Sequence, residues 1–326
     1  MKELIKENSK KKIQSIQILR ALASIMVVIC HTSITNRGGF GVDIFFVISG
    51  FIIVYTTEKA DTPYWLPKVK KIIPLYWFMT LLTSLIILIA PNLFHSYEVN
   101  REYFIKSLLF IPYSHNGINQ PVLGLGWTLN YELFFYFIFW CAMKIQYSHR
   151  VFITSLVLLY LMVLSNILEF DNYYVQYYGN NIIVEFVYGM IAYYIYVNII
   201  KKYVIQISDV RIWFLVTGIL FYMMWEFNDI YQYRGFIEGI LALVLFCFSL
   251  AFECSQTRWE VLLVKIGNAS YILYLVHIYI VRAVEMIFNK WLPNIMSSVV
   301  AVVLSVFIAV KMNDILQFIR KAKDKM

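Results

Sequence analysis

Arg20 and His31 stand eleven residues apart in an otherwise apolar stretch. In a helix that spacing is about three turns, so the two side chains share one face, separated along the axis by roughly 16 Å. A histidine with a nearby acid is the pairing general-base work needs, because the acid orients the ring and stabilises the imidazolium. Acids in or beside other apolar runs follow along the chain: Asp43, Glu132, Glu185, Glu238 and Glu285, with His277 and Arg282 among them. An ionisable group at the centre of a membrane helix costs about 2.5–3.5 kcal/mol on insertion scales, so each one asks for a partner or a task. Taken singly, Arg20 reaches for the interface and His31 caps a neighbouring carbonyl. Together on one face they favour a polar channel. Glu132 is the first candidate to orient His31 and Asp43 the second, with a structural ion-pair network as the competing reading.

A basic cluster lies at the start of the third apolar run, in Pro67-Lys68-Val69-Lys70-Lys71-Ile72-Ile73-Pro74. Lysines there suit phosphate groups arriving from the cytosol, and anionic lipid headgroups compete for the same charge. The four cysteines, Cys30, Cys141, Cys247 and Cys254, show neither metal spacing nor a disulfide framework. No metal is expected.

The elements that must position these groups are membrane helices. Of the 326 residues, 60% are hydrophobic and 15% charged, where soluble domains carry about 45–50% and about 25%. Runs near the roughly 20-residue spanning length fall at 13–35, 41–57, 72–90, 125–143, 151–168, 181–200, 210–226, 235–252, 262–288 and 294–312. Threading them alternately with both termini in the cytoplasm leaves only Arg37, Arg101, Lys106, Arg234 and Lys290 in outer loops. Against those five stand 21 lysines and arginines inside, while Arg20 and Arg282 stay in the membrane. The opposite threading breaks the positive-inside rule, so the net charge of +8 is a topology signal and not a nucleic-acid footprint. The expected fold is an all-α, polytopic bundle of about ten transmembrane helices, forming one domain over 1–326. A short interfacial or re-entrant helix is expected at Tyr103–Phe110 in the one long outer loop.

Several stretches resemble the acyltransferase 3 family of integral membrane acyltransferases. Gln17-Ile18-Leu19-Arg20-Ala21-Leu22-Ala23, running on to His31, is similar to its opening Arg-x10-His signature. Gly41-Val42-Asp43-Ile44-Phe45-Phe46-Val47-Ile48-Ser49-Gly50-Phe51 resembles its second-helix motif, and Lys68 to Trp77 its basic third-helix segment. Gly126-Trp127-Thr128-Leu129-Asn130-Tyr131-Glu132 resembles its fourth-helix motif, in the form of the exopolysaccharide (succinoglycan, ExoZ-type) acetyltransferases. Gly267-Asn268-Ala269-Ser270-Tyr271-Ile272-Leu273-Tyr274-Leu275-Val276-His277 is similar to its late motif. The family's usual Arg-x-x-Arg pair reads Lys68 and Lys71 here, which keeps charge but loses the bidentate fork for phosphate.

The resemblance implies an acetyl-CoA-dependent O-acetyltransferase of the bacterial inner membrane, with no appended soluble domain. The acceptor it implies is a hydroxyl of a cell-surface or exported polysaccharide, or of its lipid-linked precursor. On that reading His31, Glu132 and Asp43 are catalytic, Arg20, Lys68 and Lys71 meet acyl-CoA, and Trp127, Tyr131 and His277 meet the carbohydrate. A flippase or transporter of a lipid-linked glycan is the alternative, and it predicts inverted repeats that are not found. A membrane polysaccharide polymerase is a second, separable by coenzyme A dependence.

Overall fold

The computed structural model describes residues 13–58, 65–90, 99–114, 119–227, 233–288 and 291–323. All regular structure among them is helical; the only extended pairing is an isolated bridge between Ile207 and Phe252. The chain runs α1 (Gln14–Cys30), α2 (Gly41–Thr57), α3 (Trp65–Ile89), α4 (Arg101–Leu108), α5 (Trp127–Ile145) and α6 (Arg150–Asn166). It continues through α7 (Tyr173–Tyr178), α8 (Val184–Ile195), α9 (Val210–Phe227), α10 (Arg234–Leu250), α11 (Arg258–Phe288) and α12 (Asn294–Lys323). A π-helical segment, Tyr196–Lys201, extends α8.

Each of the ten expected runs overlaps a helix. Among the described residues, six helical stretches are long and apolar enough to cross a membrane: those at Ile72–Ile89, Tyr147–Asn166, Asn181–Lys201, Val210–Phe227, Arg258–Phe288 and Asn294–Arg320. Helices α1 and α2 are apolar but shorter, at 17 residues each. The outer surface matches a lipid environment. Leu88, Ile89, Leu215 and Val303 are more than 60% exposed, while Asp43, Glu185 and His277 are fully buried. That is the reverse of the distribution in a protein bathed by water.

Small residues let the central helices close up. A Cβ on Gly50 would stand 2.2 Å from the Phe186 carbonyl oxygen, and one on Gly189 2.1 Å from that of Val47, so α2 and α8 cross backbone to backbone. Gly267 does the same for α11 against α1, where a Cβ would meet the Gln17 carbonyl at 1.9 Å. On the helices these crossings gather lie the buried Asp43 of α2, Glu185 of α8, Glu238 of α10 and His277 of α11, and the partly buried Arg20 of α1. Those helices form the interior, and α3, α6, α9 and α12 present apolar faces outward.

The short helix expected near Tyr103 is α4. Asn100 caps it by accepting from the Tyr103 amide. Tyr76 Oη donates to the Ser107 carbonyl at 3.0 Å and Trp77 Nε1 to that of Leu108 at 2.8 Å, which ties α4 to α3.

Candidate active site

Helices α1 and α11 lie side by side, and polar groups meet along their seam at a regular interval. Gly267 opens it by admitting the Gln17 backbone. One turn on, Arg20 donates to Ser270 Oγ from Nε at 3.2 Å and from Nη2 at 2.9 Å, with its guanidinium 5.7 Å from the Phe45 ring centre. Two to three turns further, the His31 ring meets that of His277 edge-on, with centroids 4.9 Å apart. At the end Glu285 accepts from the Ser33 amide at 2.6 Å, pinning the segment that follows His31.

Both imidazoles are oriented by their own helices. His31 Nδ1 lies 2.8 Å from the Val27 carbonyl and His277 Nδ1 3.1 Å from that of Leu273. A carbonyl only accepts, so each Nδ1 carries the proton in a neutral ring and each Nε2 presents a lone pair. His277 Nε2 is buried and has no hydrogen-bond partner. A lone pair kept bare in a protein interior is a costly arrangement, which makes it a place to look for chemistry.

A cavity of about 400 Å³ opens against the Arg20 half of the seam, within the range of small-ligand pockets. Arg20, Ser49, Glu132, Asn268 and Ser270 supply its polar wall, and Phe45, Phe46, Ile52 and Tyr271 much of the rest. The Glu132 carboxylate accepts from Ser49 Oγ at 2.6 Å and from Tyr136 Oη at 2.5 Å, so it is held in place from α2 and from its own helix. Tyr274 lines the cavity and donates to the Leu125 carbonyl at 2.8 Å. Its ring centre is 6.1 Å from that of His277. Tyr274 therefore stands between the cavity and the histidine pair.

Asp43 lies elsewhere. Its two oxygens take the Arg234 guanidinium at 3.0 and 2.6 Å, a two-pronged ion pair. Arg234 also donates to the Gly39 carbonyl at 3.0 Å and pairs with Glu238 at 3.1 Å. Glu185 is fully buried, and neither of its carboxyl oxygens has a hydrogen-bond partner. The structure thus brings His31 to His277, Glu132 to Ser49, and Asp43 to Arg234. The carboxylate partner expected for His31 is not among its contacts, because Asp43 is taken by Arg234 and Glu132 by Ser49 and Tyr136. Arg234, threaded as an outer-loop residue, begins α10 with its side chain only 19% exposed.

Trp127 and Tyr131 sit in an aromatic cluster. Tyr131 stacks on Tyr177 at 4.9 Å and its hydroxyl donates to the Tyr177 carbonyl, while Trp127 meets Phe46 and Tyr131 edge-on. Lys68 and Lys71 belong to α3, but their side chains lie outside the described residues. Ser49, Ser270 and Tyr274 were not singled out from sequence as site residues, since serine and tyrosine carry no signal of their own. They become informative only once the helices are paired, which sets Ser49 against Glu132 and Ser270 against Arg20. Among the described residues no group of histidine, cysteine and acidic side chains is placed to hold a metal ion.

The acyltransferase domain family matches residues 13–313 of this chain. Exopolysaccharide production protein ExoZ of Rhizobium meliloti (strain 1021) is 34% identical to it over 161 residues, which is 47% of this chain and 50% of ExoZ. O-acetyltransferase OatA of Staphylococcus aureus (strain NCTC 8325 / PS 47) is 28% identical over 316 residues, 85% of this chain and 52% of that protein. Peptidoglycan O-acetyltransferase OatA of Listeria monocytogenes serovar 1/2a is 30% identical over 156 residues, 40% and 24% of the two chains. The chain spans about half the length of the first two relatives. No solved structure matches it.

Proposed function

The chain belongs to the acyltransferase domain family, and from that premise we propose that it is a membrane O-acetyltransferase acting on a polysaccharide. The donor is acetyl-CoA from the cytoplasm. The acceptor is a hydroxyl of an exported or cell-surface glycan, or of its lipid-linked precursor, and the setting is the bacterial inner membrane with ten spans and both termini inside. The names of the similar proteins support acetyl as the group and a cell-surface polysaccharide as the acceptor.

The observation that carries the reading is the sequence of groups along α1 and α11. A cavity walled by Arg20, Ser49, Glu132 and Ser270 is bounded by Tyr274, whose ring is 6.1 Å from that of His277; His277 in turn meets His31, whose Nδ1 is bound to the Val27 carbonyl. In this scheme the nucleotide meets Arg20, Lys68 and Lys71 at the cytoplasmic mouth. The pantetheine arm lies in the cavity with its amide N–H groups toward the Glu132 carboxylate. The thioester then reaches the level of His31, roughly 16 Å along the helix from Arg20.

There His31 Nε2 takes the proton of the acceptor hydroxyl as its oxygen bonds to the acyl carbon. The tetrahedral adduct collapses with cleavage of the carbon–sulfur bond, and the proton on Nε2 passes to the departing thiolate. Holding both reactants in one buried seam supplies the orientation that a bimolecular encounter lacks. Trp127 at the mouth offers a ring face for a sugar.

The test is transfer itself. Purified protein in liposomes, given radiolabelled acetyl-CoA and a mixed glycan acceptor, is expected to move label into glycan and release free coenzyme A. Glycan crossing the bilayer with no coenzyme A released would replace this reading with that of a transporter.

A further inference from the structure

The cavity and the histidine pair are neighbours that do not join. On α11 the cavity is lined from Gly267 as far as Tyr274, and on α1 by Gln17 and Arg20; neither His31 nor His277 lines it. Tyr274 is thus the last cavity residue on α11, about one helical turn before His277. Its ring centre is 6.1 Å from that of His277, which is 4.9 Å from that of His31. The Tyr274 ring is buried and its hydroxyl is held twice. It donates its one proton to the Leu125 carbonyl at 2.8 Å, which leaves Thr128 Oγ1 to donate to it at 2.9 Å. Leu125 lies in the turn before α5 and Thr128 in the first turn of that helix, so a second element fixes the ring. Swinging it aside breaks both bonds in a buried setting, where unmade hydrogen bonds are costly.

We propose that Tyr274 is a specificity-determining residue: a size filter that lets a two-carbon acyl group toward His31 and stops longer ones. The inference rests on the acetyl-transfer reading given above. Every acyl-CoA carries the same nucleotide and the same pantetheine arm, so contacts to those parts cannot tell one donor from another. Selection has to be made where the acyl group goes. A thioester moving from the cavity toward the histidines meets the Tyr274 ring, and the two hydrogen bonds keep that ring from retreating. Acetyl adds only a methyl to the thioester carbonyl. Each further methylene has to fit beside the ring, and one misfitted methylene in an apolar site is worth about 10–200-fold in discrimination.

Two substitutions and two donors separate this role from packing. In proteoliposomes with the mixed glycan acceptor, kcat/KM is measured for acetyl-CoA and for butyryl-CoA. Wild type is expected to favour acetyl-CoA. In Tyr274→Ala the ratio of butyryl to acetyl transfer is expected to rise about a hundredfold, and in Tyr274→Leu, which keeps more of the packing, about tenfold. Loss of a purely structural contact lowers both rates alike and leaves their ratio where it was. A ratio unmoved in both variants, or in Tyr274→Leu alone should Tyr274→Ala fail to fold, overturns the proposal. So does a wild type that uses butyryl-CoA as well as acetyl-CoA. A wild type that transfers neither group overturns the functional reading and this inference together, whereas an active wild type with unmoved ratios overturns this inference alone.

Discussion

Two buried polar regions of this protein are built to opposite plans. Around Arg234 opposite charges meet: Asp43 takes Nε and Nη2 of the guanidinium with its two oxygens, Glu238 also pairs with Nε and the Gly39 carbonyl also accepts from Nη2. Along the α1–α11 seam each histidine is held through Nδ1 by a backbone carbonyl of its own helix, and its Nε2 is not committed to that helix. The first arrangement binds α10 to α2 and to the loop after His31. The second holds geometry with backbone carbonyls and leaves the Nε2 of His277 without a partner. The difference shows that burial and charge alone do not mark a reactive residue. Asp43 is as deeply buried as His277, yet its bonding is spent.

The largest effect that tests this contrast is a double-mutant cycle on the ion pair. Arg234→Met strands Asp43 and Glu238 in the interior and is expected to cost about 3–5 kcal/mol of stability. Asp43→Asn is expected to be harmful for the converse reason. Combining them should recover at least about 1 kcal/mol relative to the sum, with partial return of transfer activity, measured by denaturation in detergent and by acetyl transfer. Additive losses with no activity in the double variant would mean that Asp43 serves the chemistry directly.

A smaller effect is expected at the seam. Ser270→Ala removes the hydroxyl gripped by Arg20. KM for acetyl-CoA should rise about fivefold, near 1 kcal/mol of weakened binding, with kcat within about twofold. A fall in kcat at constant KM would place Arg20 in the chemical step instead.

Much of the frame was legible beforehand because a membrane helix announces itself by length and apolarity. The run 41–57 is α2 residue for residue, and 210–226 and 235–252 fall within two residues of α9 and α10. The first run was read too long: α1 ends at Cys30, where the chain turns through Thr32 and Gly38. Helix α7 carries no distinct apolar period and was missed, whereas the π segment after α8 falls almost wholly within the run 181–200. Contacts were the harder part. Helical period tells which residues share a face but not which helix that face meets, so Arg234, 191 residues from Asp43, could not be matched to it. Arg20 and His31 were seen as one face. Their partners Ser270 and His277 share a face of α11 for the same reason, and only the packing at Gly267 brings the two faces together.

The central claim is that His31 performs acetyl transfer at the end of the α1–α11 seam. It is tested most directly by comparing wild type with His31→Gln in sealed proteoliposomes, with labelled acetyl-CoA supplied and glycan label counted. Transfer is expected to fall about a thousandfold in a variant that inserts normally and binds acetyl-CoA as wild type does. A His31→Gln protein that acetylates glycan at near wild-type rate would contradict the account.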